Sequence, residues 1–120
     1  MRDHKKLKAF ELADELVISV YKMTRKFPKE ELFGLTSQMR RAAVSVPSNI
    51  VEGCARESHT EYLRFLEMAI GSLKELHYQY SIATRLDYIV ENEIELYENK
   101  FIEVEKVLTA LYLALRNSKN

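Results

Sequence analysis

Few residues in this chain are of a type that does chemistry, and most of those are cationic. Arg40 and Arg41 are adjacent, and Arg56 follows sixteen residues after the first of them. A guanidinium binds phosphate through a planar fork of N–H donors, so these three, with Lys5 and Lys8 near the start, are the candidate nucleic-acid contacts. The competing role is structural. Adjacent residues on a helix point about 100° apart, so at most one of Arg40 and Arg41 lies beside an apolar face and the other meets solvent or a partner. A half-buried arginine needs a carboxylate, and Glu52, Glu67 and Glu75 are available.

The remaining candidates point away from catalysis. His4, His59 and His77 are scattered, and a di-metal bundle needs Glu-x-x-His, whereas Lys74 stands three residues before His77. A hydrogen-bonded core imidazole is the expectation for His77, with no metal or cofactor. Cys54 is the sole cysteine and lacks a neighbouring base, so it reads as a small packed thiol rather than a nucleophile. Gly34, Gly53 and Gly71 are isolated and form no phosphate loop.

The elements that must position these residues are helices. Three glycines and two prolines in 120 residues leave little punctuation for hairpins, and 47% of the chain is apolar, so one all-α domain over residues 1–120 is expected. Apolar residues recur at three-and-four spacing in helices over about 7–26, 35–55, 59–87 and 92–116. Phe27-Pro28 ends the first helix, and the "FPKEELFGL" turn carries room for a short helical piece before Gly34. Thr36 is the expected cap of the second helix and Asn92 of the fourth, while Ser58-His59-Thr60-Glu61 forms a capping box for the third. Gly71-Ser72 inside the third helix lowers helix propensity, which a closely packed neighbouring backbone explains.

Pro47 interrupts "TSQMRRAAVSVPSNIVEGCAR". Leu35, Met39, Ala42 or Ala43, Val46, Ile50 and Cys54 keep a single phase on both sides of it, so one proline-kinked helix is preferred to two helices joined at a corner. The proline withdraws a hydrogen bond from the Ala43 carbonyl, which Ser48 or a water could supply. Ala42, Ala43 and Ser45 leave a low surface for another helix to approach.

In the fourth helix Ile94, Tyr97, Phe101, Val104, Leu108, Leu111 and Leu115 make an unbroken seam. Leu96, Ile102, Val107, Tyr112 and Leu113 lie off it, an excess that suggests oligomerisation; singly exposed apolar residues are the alternative. Eighteen basic and eighteen acidic residues cancel, which argues against coating nucleic acid by bulk charge. The first quarter is nevertheless basic and the last acidic, so local binding of a polyanion and pairing between helices or subunits are both open. No apolar run is long enough to cross a membrane, and a cytoplasmic protein is the default expectation.

The stretch "FPKEELFGLTSQMRRAAVSVPSNIVEG", with Arg56, Ser58, Glu61 and "FLEMAIGSLKEL" from Phe65 to Leu76, resembles the four-helix-bundle proteins encoded in intervening sequences of bacterial 23S ribosomal RNA genes. The resemblance covers almost the whole chain. It implies an antiparallel, up-down-up-down four-helix bundle assembled as a ring, a homopentamer similar to the accessory variability proteins of diversity-generating retroelements. Those relatives bind nucleic acid and a reverse transcriptase, their polyanion binding depends on a strongly basic surface, and the balanced charge here departs from that pattern. Pro47, Gly53, Gly71 and Glu75 are the residues to which a structural role is assigned. The function expected on these grounds is a non-enzymatic, homo-oligomeric helical scaffold with RNA, DNA or a nucleic-acid enzyme as partner. A protein-interaction module without nucleic acid is the alternative.

Overall fold

The computed structural model describes residues 2–118. Four helices carry it: α1 (Lys8–Thr24), α2 (Leu35–Cys54), α3 (His59–Arg85) and α4 (Glu91–Arg116). Short 3-10 turns at His4–Lys6 and Lys29–Glu31 precede α1 and α2. Among the described residues there is no strand. The last two residues of the "RNSKN" tail lie outside the described range.

Each helix presents one stripe to a shared core, which is what the spacing of its apolar residues dictates. Leu12, Leu16, Val20, Met39, Val46, Ile50, Leu66, Leu73, Leu76, Tyr80, Phe101 and Leu108 are all buried in it. α2 packs on α1 and α3, and α4 packs on α3 and α1; α2 with α3 is the most extensive pairing. α1 with α3 and α2 with α4 are diagonals, and among the described residues they have no Cα pair within 8 Å. This is a four-helix bundle.

Contacts between helix ends show which termini lie together. At one end Lys26, just after α1, pairs with Glu93 of α4 at 3.7 Å, and Tyr88, just before α4, donates to Glu31, just before α2, at 2.8 Å. At the other, His59 Nε2 donates to the Leu115 carbonyl at 2.9 Å, and Arg2 donates to the carbonyl of Arg56.

Pro47 lies inside α2, which is one continuous helix, and every member of the expected stripe from Leu35 to Cys54 is buried. Ser48 is exposed and makes no bond to the Ala43 carbonyl. Asn49 Nδ2 instead donates to the Ser45 carbonyl at 2.9 Å and to Ser45 Oγ at 3.0 Å. Ser45 Oγ in turn lies 2.9 Å from Ser72 Oγ, so two small polar side chains meet where α2 and α3 approach.

Several expectations need correction. Thr36 does not cap α2: it is buried one residue inside the helix, and the Leu35 N–H is satisfied by Glu31 Oε1 at 3.1 Å. Asn92 does not cap α4, whose N-cap is Val90 with no side-chain bond. Ser58 does cap α3, accepting from the Glu61 N–H at 3.1 Å. No backbone crowds Gly71, where an added Cβ would meet nothing within 4 Å. The close approach is at Gly53, where a Cβ would stand 2.9 Å from Phe65 Cβ and 3.1 Å from Tyr62 Cδ1. Leu86, inside the bounds expected for the third helix, is 49% exposed and follows the end of α3 at Arg85.

Candidate functional site

The arginine pair separates as helical geometry requires. Arg41 is exposed. Arg40 is half-buried, with its guanidinium 4.7 Å from the centre of the Tyr21 ring and Nε donating to Thr24 Oγ1 at 2.8 Å. Thr24 is itself buried and passes the chain of donors on to the Val20 carbonyl at 2.8 Å. This corrects the expected pairing. No carboxylate lies within salt-bridge distance of Arg40 among the described residues, and Glu75 accepts from Gln79 Nε2 at 3.2 Å instead. Glu67 accepts from the Tyr112 hydroxyl. Arg40 is held by a hydroxyl and an aromatic face, neither of which neutralises it.

Around this pair opens a cleft of about 680 Å³, lined by Tyr21, Thr36, Ser37 and both arginines, with Leu32 and Phe33 at its lip. A second cleft adjoins it across Arg40 and adds Arg25 and Lys29. Neither cleft is lined by an acidic side chain. Glu31, in the turn before α2, is committed elsewhere: the Leu35 N–H and then the Tyr88 hydroxyl hold its carboxyl below the ordinary value. Sequence spacing gave no sign that Arg25, just after α1, and Lys29, in the turn before α2, converge on Arg40, because that turn has no helical period. Nor did it single out Phe33, whose ring is 94% exposed.

The other candidate cations sit elsewhere. Arg56 lies at the far end of α2, about 24 Å along the rod from Arg40 at 1.5 Å per residue. Its guanidinium stacks on Phe65 at 4.6 Å, and Arg2 covers Tyr62 at 4.2 Å. Arg2, Arg56 and Glu57 line a separate cleft there. Lys5 is exposed, and Lys8 pairs with Glu11 at 3.6 Å. Arg40 and Arg41 are therefore together, and Arg56 and the N-terminal lysines form no part of their cleft.

His77 is more committed than a core imidazole. Its Nδ1 lies 2.8 Å from Glu105 Oε2 and its Nε2 lies 2.6 Å from Glu98 Oε1, while the ring stacks on Phe101 at 4.9 Å. Burial pulls its pKa down, but the bonds to Glu105 and Glu98 and their negative charge outweigh burial and leave it raised. Glu98 and Glu105 are seven residues apart, two turns on one side of α4, a spacing that could have revealed the pair. With both ring nitrogens occupied, neither is free to bind a metal. Cys54 is buried, with Tyr62 as its polar neighbour at 4.0 Å, and burial pushes its thiol pKa up, so the nucleophilic thiolate is disfavoured. Burial likewise drives Tyr62 and Tyr80 up to about 12.

No helix of the described residues is long and apolar enough to cross a membrane. No curated protein matches the chain. A crystal structure of a protein of unknown function from the S23 ribosomal protein family of Bacteroides thetaiotaomicron superposes with a TM-score of 0.79 at 21% identity, over 88% of this chain and 95% of that one. At that identity the likeness establishes the fold. The family model described as 23S rRNA-intervening sequence protein matches residues 5–110, so nearly the whole bundle, with both of its basic clefts, carries the pattern. The chain belongs to the 23S rRNA-intervening sequence protein family.

Proposed function

We propose that this protein is a non-enzymatic helical scaffold in the cytoplasm that assembles with copies of itself, as a pentameric ring by likeness to the retroelement accessory proteins. The observation that carries this reading is apolar surface left open on the folded chain. Phe33 is 94% exposed and Tyr78 62%, and on α4 Leu96 and Ile102 are 57% and 48% exposed. The state of the nucleophile and imidazole supports a role without catalysis: Cys54 is buried and His77 has both nitrogens bonded. Light scattering on the purified chain tests self-association, with a mass of several chains expected and the mass of one chain ruling it out.

RNA, DNA or a nucleic-acid enzyme such as a reverse transcriptase is the proposed partner of the scaffold. The acid-free cleft at Arg40 and Arg41 favours it. Structured RNA titrated at several salt concentrations is the test. A phosphate-binding cleft loses affinity steeply with salt, and Arg41→Ala weakens binding and reduces the salt slope by about one. No binding even at low salt removes the nucleic acid and leaves a module that binds only protein, the reading that zero net charge supports.

A further inference from the structure

Two surfaces of this chain are incomplete, and their characters are opposite. The first is the cleft between the end of α1 and the start of α2: cationic from Arg25, Lys29, Arg40 and Arg41, without an acidic residue in its lining, and apolar at the lip where Phe33 projects. The second is the outward side of the first half of α4. There Leu96 and Ile102 are 57% and 48% exposed, and the exposed carboxylates of Glu91, Glu95 and Glu103 outnumber the half-buried Lys100 around them. We infer that these surfaces bind one another between copies, the Phe33–Arg41 cleft of one chain receiving the Glu95–Leu96 side of α4 from a second chain. This rests on the self-association proposed above and assigns the residues that carry it.

Charge complementarity is the first argument. A half-buried arginine without a carboxylate is an uncompensated charge, and among the described residues Arg40 finds Thr24 and Tyr21 and no acid. The carboxylates of a second α4 would compensate it. The zero net charge of the chain is then the sum of two opposed faces that neutralise each other on assembly.

Placement is the second argument. α2 and α4 occupy diagonal corners of the bundle and do not touch, so Arg40 and Arg41 of α2 do not meet the carboxylates of α4 within one chain. Both belong to the same end of the rod, because Glu93 at the start of α4 pairs with Lys26 and Tyr88 bonds to Glu31 beside the cleft. Two different patches make the contact heterologous, and their place at one end of the rod favours a rotation that closes into a ring over one that climbs into a filament. RNA would also neutralise the arginines, but it would leave unexplained an apolar, acidic counterpart carried by the same chain.

The test uses the full chain and two variants at exposed positions, Phe33→Asp and Leu96→Asp, with helical circular dichroism confirming that each folds. Alone, each variant should fall to the mass of one chain. Mixed one to one, they should form a species of two chains and nothing larger, because each supplies the intact surface the other lacks. As a second set, Arg41→Glu and Glu95→Lys should each dissociate the assembly and the double variant should regain it. Either aspartate variant holding the wild-type mass, or a mixture that stays as single chains, overturns the assignment while self-association stands. A wild-type chain that is itself monomeric overturns both. Variants that stay assembled but lose RNA would show that nucleic acid occupies the cleft, and would also overturn it.

Discussion

One methyl group separates the two glycines that lie inside helices. At Gly53 an added Cβ would come within 2.9 Å of Phe65 Cβ, an atom fixed to the α3 backbone, so Gly53→Ala must push α2 away from α3 and is expected to cost about 1–3 kcal/mol. At Gly71 the same methyl meets open space, and Gly71→Ala should stabilise by about 1 kcal/mol through helix propensity. Urea denaturation of the two variants checks both signs, and equal effects would contradict the account. His77 gives a prediction in pH. Its folded pKa is raised above the ordinary 6.5 by Glu105 and Glu98 against the opposing effect of burial, so the stability it contributes is fully present below 6.5 and is lost as pH rises through the folded value. An NMR titration of the His77 ring should give a midpoint above 6.5, and Glu105→Gln should lower it. A midpoint at or below 6.5 would show that burial wins.

At the scale of elements, the turn after α3 rests on Asp87, whose φ of 62° is in the left-handed region, and Tyr88 N–H reaches back to the Ala83 carbonyl at 2.9 Å. Aspartate tolerates that conformation and a β-branched residue does not, so Asp87→Val should destabilise by about 1–2 kcal/mol in thermal unfolding. A variant as stable as the parent would mean the turn can rearrange freely. The helices were legible in the sequence because their signal is periodic: the stripe from Leu35 to Cys54 runs straight through Pro47, and α2 is continuous there. Non-periodic features were harder to read. Thr36 looked like a cap, but the helix begins one residue before it, where the Glu31 carboxylate of the preceding turn accepts from the Leu35 N–H. Gly71 looked like a close approach, but which face of α3 a glycine occupies matters more than its presence, and Gly71 is on the exposed side.

For the whole molecule, the arginine pair was visible in the sequence and its surroundings were not. Arg25, Lys29 and Phe33 come to Arg40 through a proline-bearing turn, and only packing of α1 on α2 decides that their cleft contains no acid. The off-seam residues of α4 divide on the same ground: Val107 and Tyr112 are half-buried against the core, whereas Leu96, Ile102 and Leu113 remain outside it. What those exposed residues and the unneutralised arginines share is the lack of a counterpart among the described residues of one chain. Native mass spectrometry of the intact protein examines that lack directly. A closed assembly, dominated by a pentamer, is predicted; a spectrum containing only single chains at micromolar concentration would contradict the account.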